Sequence, residues 1–142
     1  MITIIDDHLL RDVLAGPDEA LAAALDGSGV ATTNLWYARL CKTAARQTGG
    51  ALLRGWNEAE RRALIAGLVA LPDEVQIAPM QELAWTMGEL VAAHDGLSTL
   101  GAEAAAAALA SDARILVSAR DDGPGIRRCC HALGIGYVAI ER

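Results

Sequence analysis

The chain has no phenylalanine, and its other aromatic residues are three tryptophans and two tyrosines. With so few aromatic side chains, the core has to be built from aliphatic residues and alanine. Small side chains let helices lie close to a sheet, which favours layers of helix and sheet. We therefore expect the aromatic residues to fill gaps in the core or an oligomer contact rather than to stack on bases. The residues concerned are Trp36, Tyr37, Trp56 and Trp85.

Positive charge is also scarce. Lys42 is the one lysine, and 12 Lys and Arg residues stand against 18 Asp and Glu residues, which gives a net charge of −6. Because an acidic surface repels phosphate backbones, this balance disfavours binding of nucleic acid through a broad basic face. Local basic patches remain near Arg39, Lys42 and Arg46 and near Arg127 and Arg128.

Cysteines and long apolar runs are few as well. The three cysteines, Cys41, Cys129 and Cys130, form no CxxC pair and no Cys/His spacing typical of zinc sites. Adjacent cysteines rarely form structural disulfides, which fits a reducing compartment. No run reaches about 18 apolar residues, and no basic region precedes Asp6-Asp7, so we expect neither a membrane span nor a signal peptide. These absences predict a soluble, cytoplasmic protein.

The segments that are present alternate between strand-like and helix-like patterns. Strands are predicted at residues 2–5, 30–33, 75–78, 114–118 and 137–140, from short β-branched or aliphatic runs. Helices are predicted at residues 9–14, 17–25, 35–46, 57–69, 80–91, 98–109 and 124–133, with Gly49-Gly50 ending the third and Asn57 and Glu60 forming a capping box. This order predicts a single domain over residues 1–142, with helices on a mostly parallel sheet of four or five strands.

Carboxylates follow two of the predicted strands. Asp6 and Asp7 come directly after the first strand, and Asp121 and Asp122 follow the strand at residues 114–118. If these strands are neighbours in a parallel sheet, the four carboxylates meet at one edge, and a hard divalent cation such as Mg²⁺ prefers such oxygen ligands. The alternative is that these aspartates cap turns and helix starts. His8 has the same two interpretations, as a ligand or as a capping residue.

The order of the segments carries a family resemblance over nearly the whole chain. Ile4-Ile5-Asp6 opens into a short helix, and residues 30–33 lead into a second helix. Residues 75–79, the helix at 80–91, Leu97-Ser98 and an alanine-rich helix follow, and residues 113–118 with an acidic turn close the pattern. This order resembles a bacterial PIN domain of the VapC toxin type. The resemblance implies a three-layer α/β/α fold, about four acidic residues that hold Mg²⁺ or Mn²⁺, and cleavage of RNA.

Position by position, the acidic set implied by the resemblance is incomplete. Asp6 is retained, but Arg39 stands at or near the second acidic position and Gly101 at the third. Glu103, the nearest acid to Gly101, lies about 200° further around the helix. Arg120 stands at the fourth position, with Asp121 and Asp122 beside it as substitutes. Two guanidinium groups near the pocket would oppose a divalent cation by several kcal/mol at an effective dielectric constant of ~20.

These departures predict a catalytically degenerate PIN-like domain that binds another protein or a second copy of itself. A homodimer, an antitoxin-like partner and no bound metal are the expected consequences. The alternative is an active Mg²⁺- or Mn²⁺-dependent endoribonuclease, the toxin of a toxin–antitoxin pair. It would use Asp6, Asp121 and Asp122 in catalysis, with Asp6 and Asp122 as metal ligands and Asp7 lining the pocket. A third hypothesis is an anion site built from Arg39, Arg120 and the Gly123-Pro124-Gly125 turn.

The opening Ile4-Ile5-Asp6-Asp7-His8 is also similar to the start of a response-regulator receiver domain. That fold needs a phospho-acceptor aspartate about fifty residues further on, at the end of a strand, and a late lysine. Residues 52–57 contain no aspartate and no strand pattern, and no lysine follows Lys42. The sequence therefore favours the PIN-like fold over the receiver fold.

Overall fold

The computed structural model describes residues 1–46 and 50–142, which form a parallel sheet covered by helices on both faces. The strands are β1 (Ile2–Ile5), β2 (Gly29–Thr32), β3 (Val75–Ile77), β4 (Arg114–Ser118) and β5 (Tyr137–Ile140). The helices are α1 (Asp7–Ala15), α2 (Glu19–Leu25), α3 (Asn34–Ala45), α4 (Glu58–Val69), α5 (Met80–Ala93), α6 (Thr99–Ser111) and α7 (Pro124–Leu133). A short 3₁₀ helix, Ala51–Leu53, precedes α4. Among the described residues, no helix is both long and apolar enough to cross a membrane.

The strand order is β3-β2-β1-β4-β5, and every neighbouring pair is parallel. Ile4 of β1 pairs with Ala31 of β2 on one side and with Ile115 of β4 on the other. The prediction that the first strand lies beside the Ile115 strand is therefore confirmed. Because β1 and β4 run in the same direction, the residues that follow Ile5 and Ser118 meet at one edge of the sheet.

Two apolar clusters, one on each face of the sheet, form the core. One joins β4 to α5, α6 and α7, and the other joins β1 and β4 to α1, α3 and α4. Residues 101–108 of α6 are all buried, which explains why this helix is built almost entirely from alanine. A helix enclosed on all sides can approach its neighbours only if its side chains are small, so the alanine run is a packing requirement.

Several boundaries differ from the prediction because polar residues at the strand ends serve as helix caps. Helix α1 begins at Asp7 rather than Leu9, since the Asp6 side chain accepts a hydrogen bond from the Leu9 amide. Strand β2 ends at Thr32 because Thr33 caps α3. The capping box of Asn57 and Glu60 is confirmed. Helix α3 ends at Ala45, and the predicted stop at Gly49 lies outside the described residues.

Candidate functional site

Asp6 links the start of α1 to the end of β4. Its Oδ1 accepts a hydrogen bond from the Leu9 amide at 2.9 Å, and its Oδ2 accepts one from the Ser118 amide at 2.8 Å. The side chain is fully buried. Burial raises the pKa of Asp6 to about 6, although the two amide hydrogen bonds act in the opposite direction, and the charges of Asp121 and Asp7 add to the increase. Asp6 is thus a buried cap whose ionised form is held by backbone amides.

Asp7, the next residue, is paired with Arg39 from α3. The Arg39 Nη2 group donates to Asp7 Oδ1 at 2.8 Å, and Nε donates to Asp7 Oδ2, so the guanidinium group grips both carboxylate oxygens. Burial alone would raise the pKa of Asp7, but the hydrogen bonds from Arg39 and His8 outweigh it and lower that pKa. The same pairing raises the pKa of Arg39. Such a bidentate pair is the strongest form of side-chain ion pair.

Arg39 also reaches a carboxylate from the far end of β4. Its Nη2 group donates to Asp121 Oδ1 at 2.8 Å, and Trp36 Nε1 donates to Asp121 Oδ2 at 2.9 Å. Trp36 and Arg39 are three residues apart on α3, so they lie on one face of that helix. One helix face therefore holds Asp121 and Asp7, and the guanidinium group stands between the two carboxylates.

His8 completes the acidic cluster. Its Nδ1 atom lies 3.2 Å from Asp7 Oδ1 and 3.9 Å from Asp6 Oδ2. Asp6, Asp7 and His8 each offer one ligand atom, and these three atoms lie within 4.8 Å of one another. The spacing brings three potential ligands together, but one of them is the carboxylate that Arg39 already binds.

Asp122 does not join this cluster. Its Oδ1 accepts a hydrogen bond from the Tyr137 hydroxyl at 2.9 Å, and its Oδ2 pairs with Arg127 Nη2 at 2.6 Å. The Arg127 hydrogen bond lowers the pKa of Asp122. The turn after β4 thus directs Asp121 toward α3 and Asp122 toward Arg127 and Tyr137, so the structure does not bring Asp122 into contact with Asp6, and a metal site shared by Asp6 and Asp122 stays a prediction.

Glu103 has a structural contact that the resemblance did not anticipate. Its buried carboxylate accepts hydrogen bonds from the backbone amides of Asn34 at 2.7 Å and Leu35 at 2.9 Å, and from Asn34 Nδ2 at 3.1 Å. These are amides of the first turn of α3, which have no partner within the helix. Glu103 thus fixes the start of the helix that carries Trp36 and Arg39, and the pocket itself is lined by other residues.

Gly101 does line the pocket. It faces a cleft of about 480 Å³ together with Trp36, Arg39 and Asp121. A Cβ atom at Gly101 would lie 3.1 Å from Leu97 Cδ1 and 3.3 Å from the Ile126 Cβ atom. Any side chain here would therefore need Leu97 and Ile126 to shift by a few tenths of an ångström.

Arg120 lies apart from Arg39. It is exposed and lines a different cleft, together with His8 and Arg11. The structure therefore places Arg39 in the predicted pocket and Arg120 in a different cleft, and repulsion of a cation by Arg39 stays a prediction. Trp36 was missed as a site residue, and its spacing of three residues before Arg39 on an amphipathic helix was the available signal.

Comparison with known proteins bears on the fold alone. No family model matches the chain, and no curated protein matches it. A chain in the crystal structure of FitAcB from Neisseria gonorrhoeae is 18% identical, with 97% of this chain and 96% of that chain covered and a TM-score of 0.55. The likeness spans both chains almost completely, and it confirms the three-layer α/β/α, PIN-like fold.

Proposed function

We propose that this chain is a catalytically degenerate PIN-like domain that acts by associating with a second copy of itself. The observation that carries the first half is the Arg39 guanidinium group, which bridges the carboxylates of Asp7 and Asp121. It supplies the positive charge that a divalent ion would supply at this edge of the sheet. The guanidinium group therefore offsets part of the negative charge of the pocket from within the chain.

The hydrogen bonds and the guanidinium charge at these carboxylates disfavour a divalent metal ion. Both oxygens of Asp6 accept hydrogen bonds from backbone amides, and both oxygens of Asp7 accept hydrogen bonds from Arg39. Both oxygens of Asp121 accept hydrogen bonds from side chains of α3. A divalent ion about 4 Å from the guanidinium group would meet a repulsion of roughly 8 kcal/mol at an effective dielectric constant of 20. No catalytic step through a metal follows from this arrangement.

The outer face of α5 supports the second half of the proposal. A stripe along this helix is exposed and has no charged side chain: Ala84, Trp85, Gly88, Val91 and Ala92. Trp85 is 80% exposed, and a Cβ atom at Gly88 would meet nothing within 4 Å. Ala84, Gly88 and Ala92 recur every four residues, so two such helices can approach closely, with Trp85 as the large side chain each copy buries.

The second candidate is an active metal-dependent endoribonuclease, the toxin of a toxin–antitoxin pair. The observation that favours it is the approach of Asp6, Asp7 and His8 ligand atoms to within 4.8 Å. To bind a metal there, Arg39 would have to release Asp7. This candidate therefore needs a rearrangement of α3 side chains that the first candidate does not.

A ribonuclease assay separates the two candidates. The purified chain is incubated with a mixed RNA substrate and Mn²⁺ or Mg²⁺, beside Asp6→Asn and, as a matched exposed control, Asp73→Asn. We expect no metal-dependent cleavage above background from any of the three. Cleavage by the wild type and by Asp73→Asn that disappears in Asp6→Asn would replace the degenerate-domain proposal with the nuclease.

A further inference from the structure

A second cleft, of about 310 Å³, gathers positive charge beside the acidic site. Four arginines, a histidine and an indole line it: Arg11, Arg54, Arg120, Arg142, His8 and Trp56. The chain has only 12 Lys and Arg residues and a net charge of −6, so four of its cations meet in one small cleft. A local field of this sign on an acidic protein attracts a small anion without attracting polyanions in general.

Two of the arginines, Arg11 and Arg142, are held in place by carboxylates. The Asp12 carboxylate accepts hydrogen bonds from Arg11 Nε at 2.7 Å and from Arg142 Nε at 2.9 Å. Arg142 Nη1 also donates a hydrogen bond to the Asp18 carboxylate at 2.8 Å. The Arg11 guanidinium carbon also lies 5.9 Å from the centre of the Trp56 ring. These contacts fix both guanidinium groups, so less side-chain freedom is lost when an anion binds.

The other two arginines have no acidic partner. Neither Arg54 nor Arg120 makes a salt bridge or a side-chain hydrogen bond with any residue among 1–46 and 50–142, and both are exposed. Of the four arginines, Arg11 and Arg142 are thus paired with Asp12 and Asp18, and two guanidinium groups are left without an acidic partner among the described residues. Paired guanidinium forks match the oxygens of a phosphate group.

The cleft adjoins a larger cavity of about 590 Å³, and Arg54 and Trp56 line both. The walls of the larger cavity include the apolar side chains of Leu14, Ala63 and Leu64, and Glu60 is the acidic residue that lines it. A charged cleft next to an apolar cavity matches a ligand with an anionic end and an organic body. The larger cavity is of a size that a nucleoside or a comparable ring system fills.

We propose that this pair of cavities binds a small phosphorylated metabolite of nucleotide size. The phosphate group lies among Arg11, Arg54 and Arg120, and the organic body lies in the larger cavity beyond Trp56. The proposal uses none of the α5 residues, so it stands or falls independently of self-association.

The test is calorimetric titration of the full chain with AMP, inorganic phosphate and adenosine as probes. We expect AMP to bind with a dissociation constant in the micromolar to millimolar range, inorganic phosphate more weakly, and adenosine at least about tenfold more weakly than AMP. Arg54→Ala and Arg120→Ala should each weaken AMP binding about tenfold, because each removes a charge-assisted contact to phosphate. Arg62→Ala is the matched control, since Arg62 is an exposed arginine of α4 outside both cavities.

A filling substitution tests the larger cavity separately. Ala63→Leu extends a side chain into that cavity from the exposed part of α4, and it should weaken AMP while leaving inorganic phosphate unchanged. The proposal is overturned if AMP does not saturate the protein at millimolar concentration, or if Arg54→Ala and Arg120→Ala bind it as the control does. It is also overturned if a short single-stranded oligonucleotide binds over a hundredfold tighter than AMP with the same arginine dependence, because the ligand class would then be nucleic acid.

Discussion

At the scale of single residues, one cationic side chain, Arg39, offsets part of the negative charge of the site. Arg39 brings a fixed positive charge to the point where two carboxylates from distant segments, Asp7 and Asp121, come together. The pairing has opposite effects on its partners, since it lowers the pKa of Asp7 and raises the pKa of Arg39. Both shifts stabilise the charged forms, so the pair persists across the physiological pH range.

Asp6 predicts a pH dependence of stability with a definite sign. Because burial raises its pKa from 3.8 to about 6, the folded state binds more protons than the unfolded state between those values, and stability falls as pH rises through them. About one pKa unit of that shift titrates between pH 5 and pH 8, which corresponds to roughly 1.4 kcal/mol. Urea unfolding at the two pH values measures it, and Asp6→Asn should lose this difference. Equal dependence in wild type and variant would show that Asp6 is not the group responsible.

Glu103 predicts a loss of stability that is larger than its position on an alanine-rich helix suggests. Glu103→Ala leaves the amides of Asn34 and Leu35 without their acceptor, which should lower the free energy of unfolding by about 2 kcal/mol. Glu103→Gln, which keeps one acceptor oxygen, should cost less. Urea unfolding measures both, with Glu89→Ala on the exposed side of α5 as control, where a change under about 0.5 kcal/mol is expected. A Glu103→Ala change as small as the control's would refute the capping role.

At the scale of elements, helices α5 and α6 differ in how far they are buried. Helix α6 is buried along residues 101–108, which are mostly alanine, whereas α5 packs against α6 with one face and carries the exposed apolar stripe on the other, with Glu82 and Glu89 beside it. An exposed apolar stripe of this kind is unusual on a monomeric protein. The two helices together form a layer whose outer surface carries this apolar stripe.

The α5 stripe predicts a dimer that depends on Trp85. Multi-angle light scattering across a concentration series should give the mass of a dimer for the wild type, and Trp85→Glu should shift the chain to monomer by weakening association at least about thirtyfold. Val69→Glu is the matched control, because Val69 is 83% exposed but lies on α4. A monomeric wild type, or equal effects of the two variants, would contradict association through α5.

The bounds of a helix or strand could be predicted from the sequence where proline, glycine or a turn marks them. They could not be predicted where a side chain with a second possible role caps the helix. Strand β4, helix α7 and strand β5 have the predicted bounds, because Pro124, Gly134 and the acidic turn mark them. The start of α1 was predicted two residues late, because the sequence left Asp6 open as a site residue or a helix cap, and the structure shows its capping contact to Leu9. The same carboxylate serves both the helix and the site, and a sequence pattern does not separate the two uses.

At the scale of the whole molecule, the order of segments was enough to predict the parallel sheet and the meeting of β1 with β4. The meeting of Asp6, Asp7 and Asp121 follows from that topology. The sequence left open whether Asp121 or Asp122 faces the site, because a shift of one residue in the turn reverses the directions of the two side chains. The separation of Arg120 from Arg39 has the same origin, since Arg120 lies in the same turn one residue before Asp121 and lines another cleft, whereas Asp121 is held by α3.

The most direct test of the central claim, that Arg39 takes the place of a metal ion, is calorimetric titration of the intact chain with Mn²⁺. We expect no saturable binding by the wild type or by the control Arg62→Ala at millimolar metal. Arg39→Gln, which leaves the carboxylates of Asp7 and Asp121 without their cation, should gain Mn²⁺ binding and an increase in melting temperature with added metal. Submillimolar binding of Mn²⁺ by the wild type, unchanged or weakened in Arg39→Gln, would contradict the account.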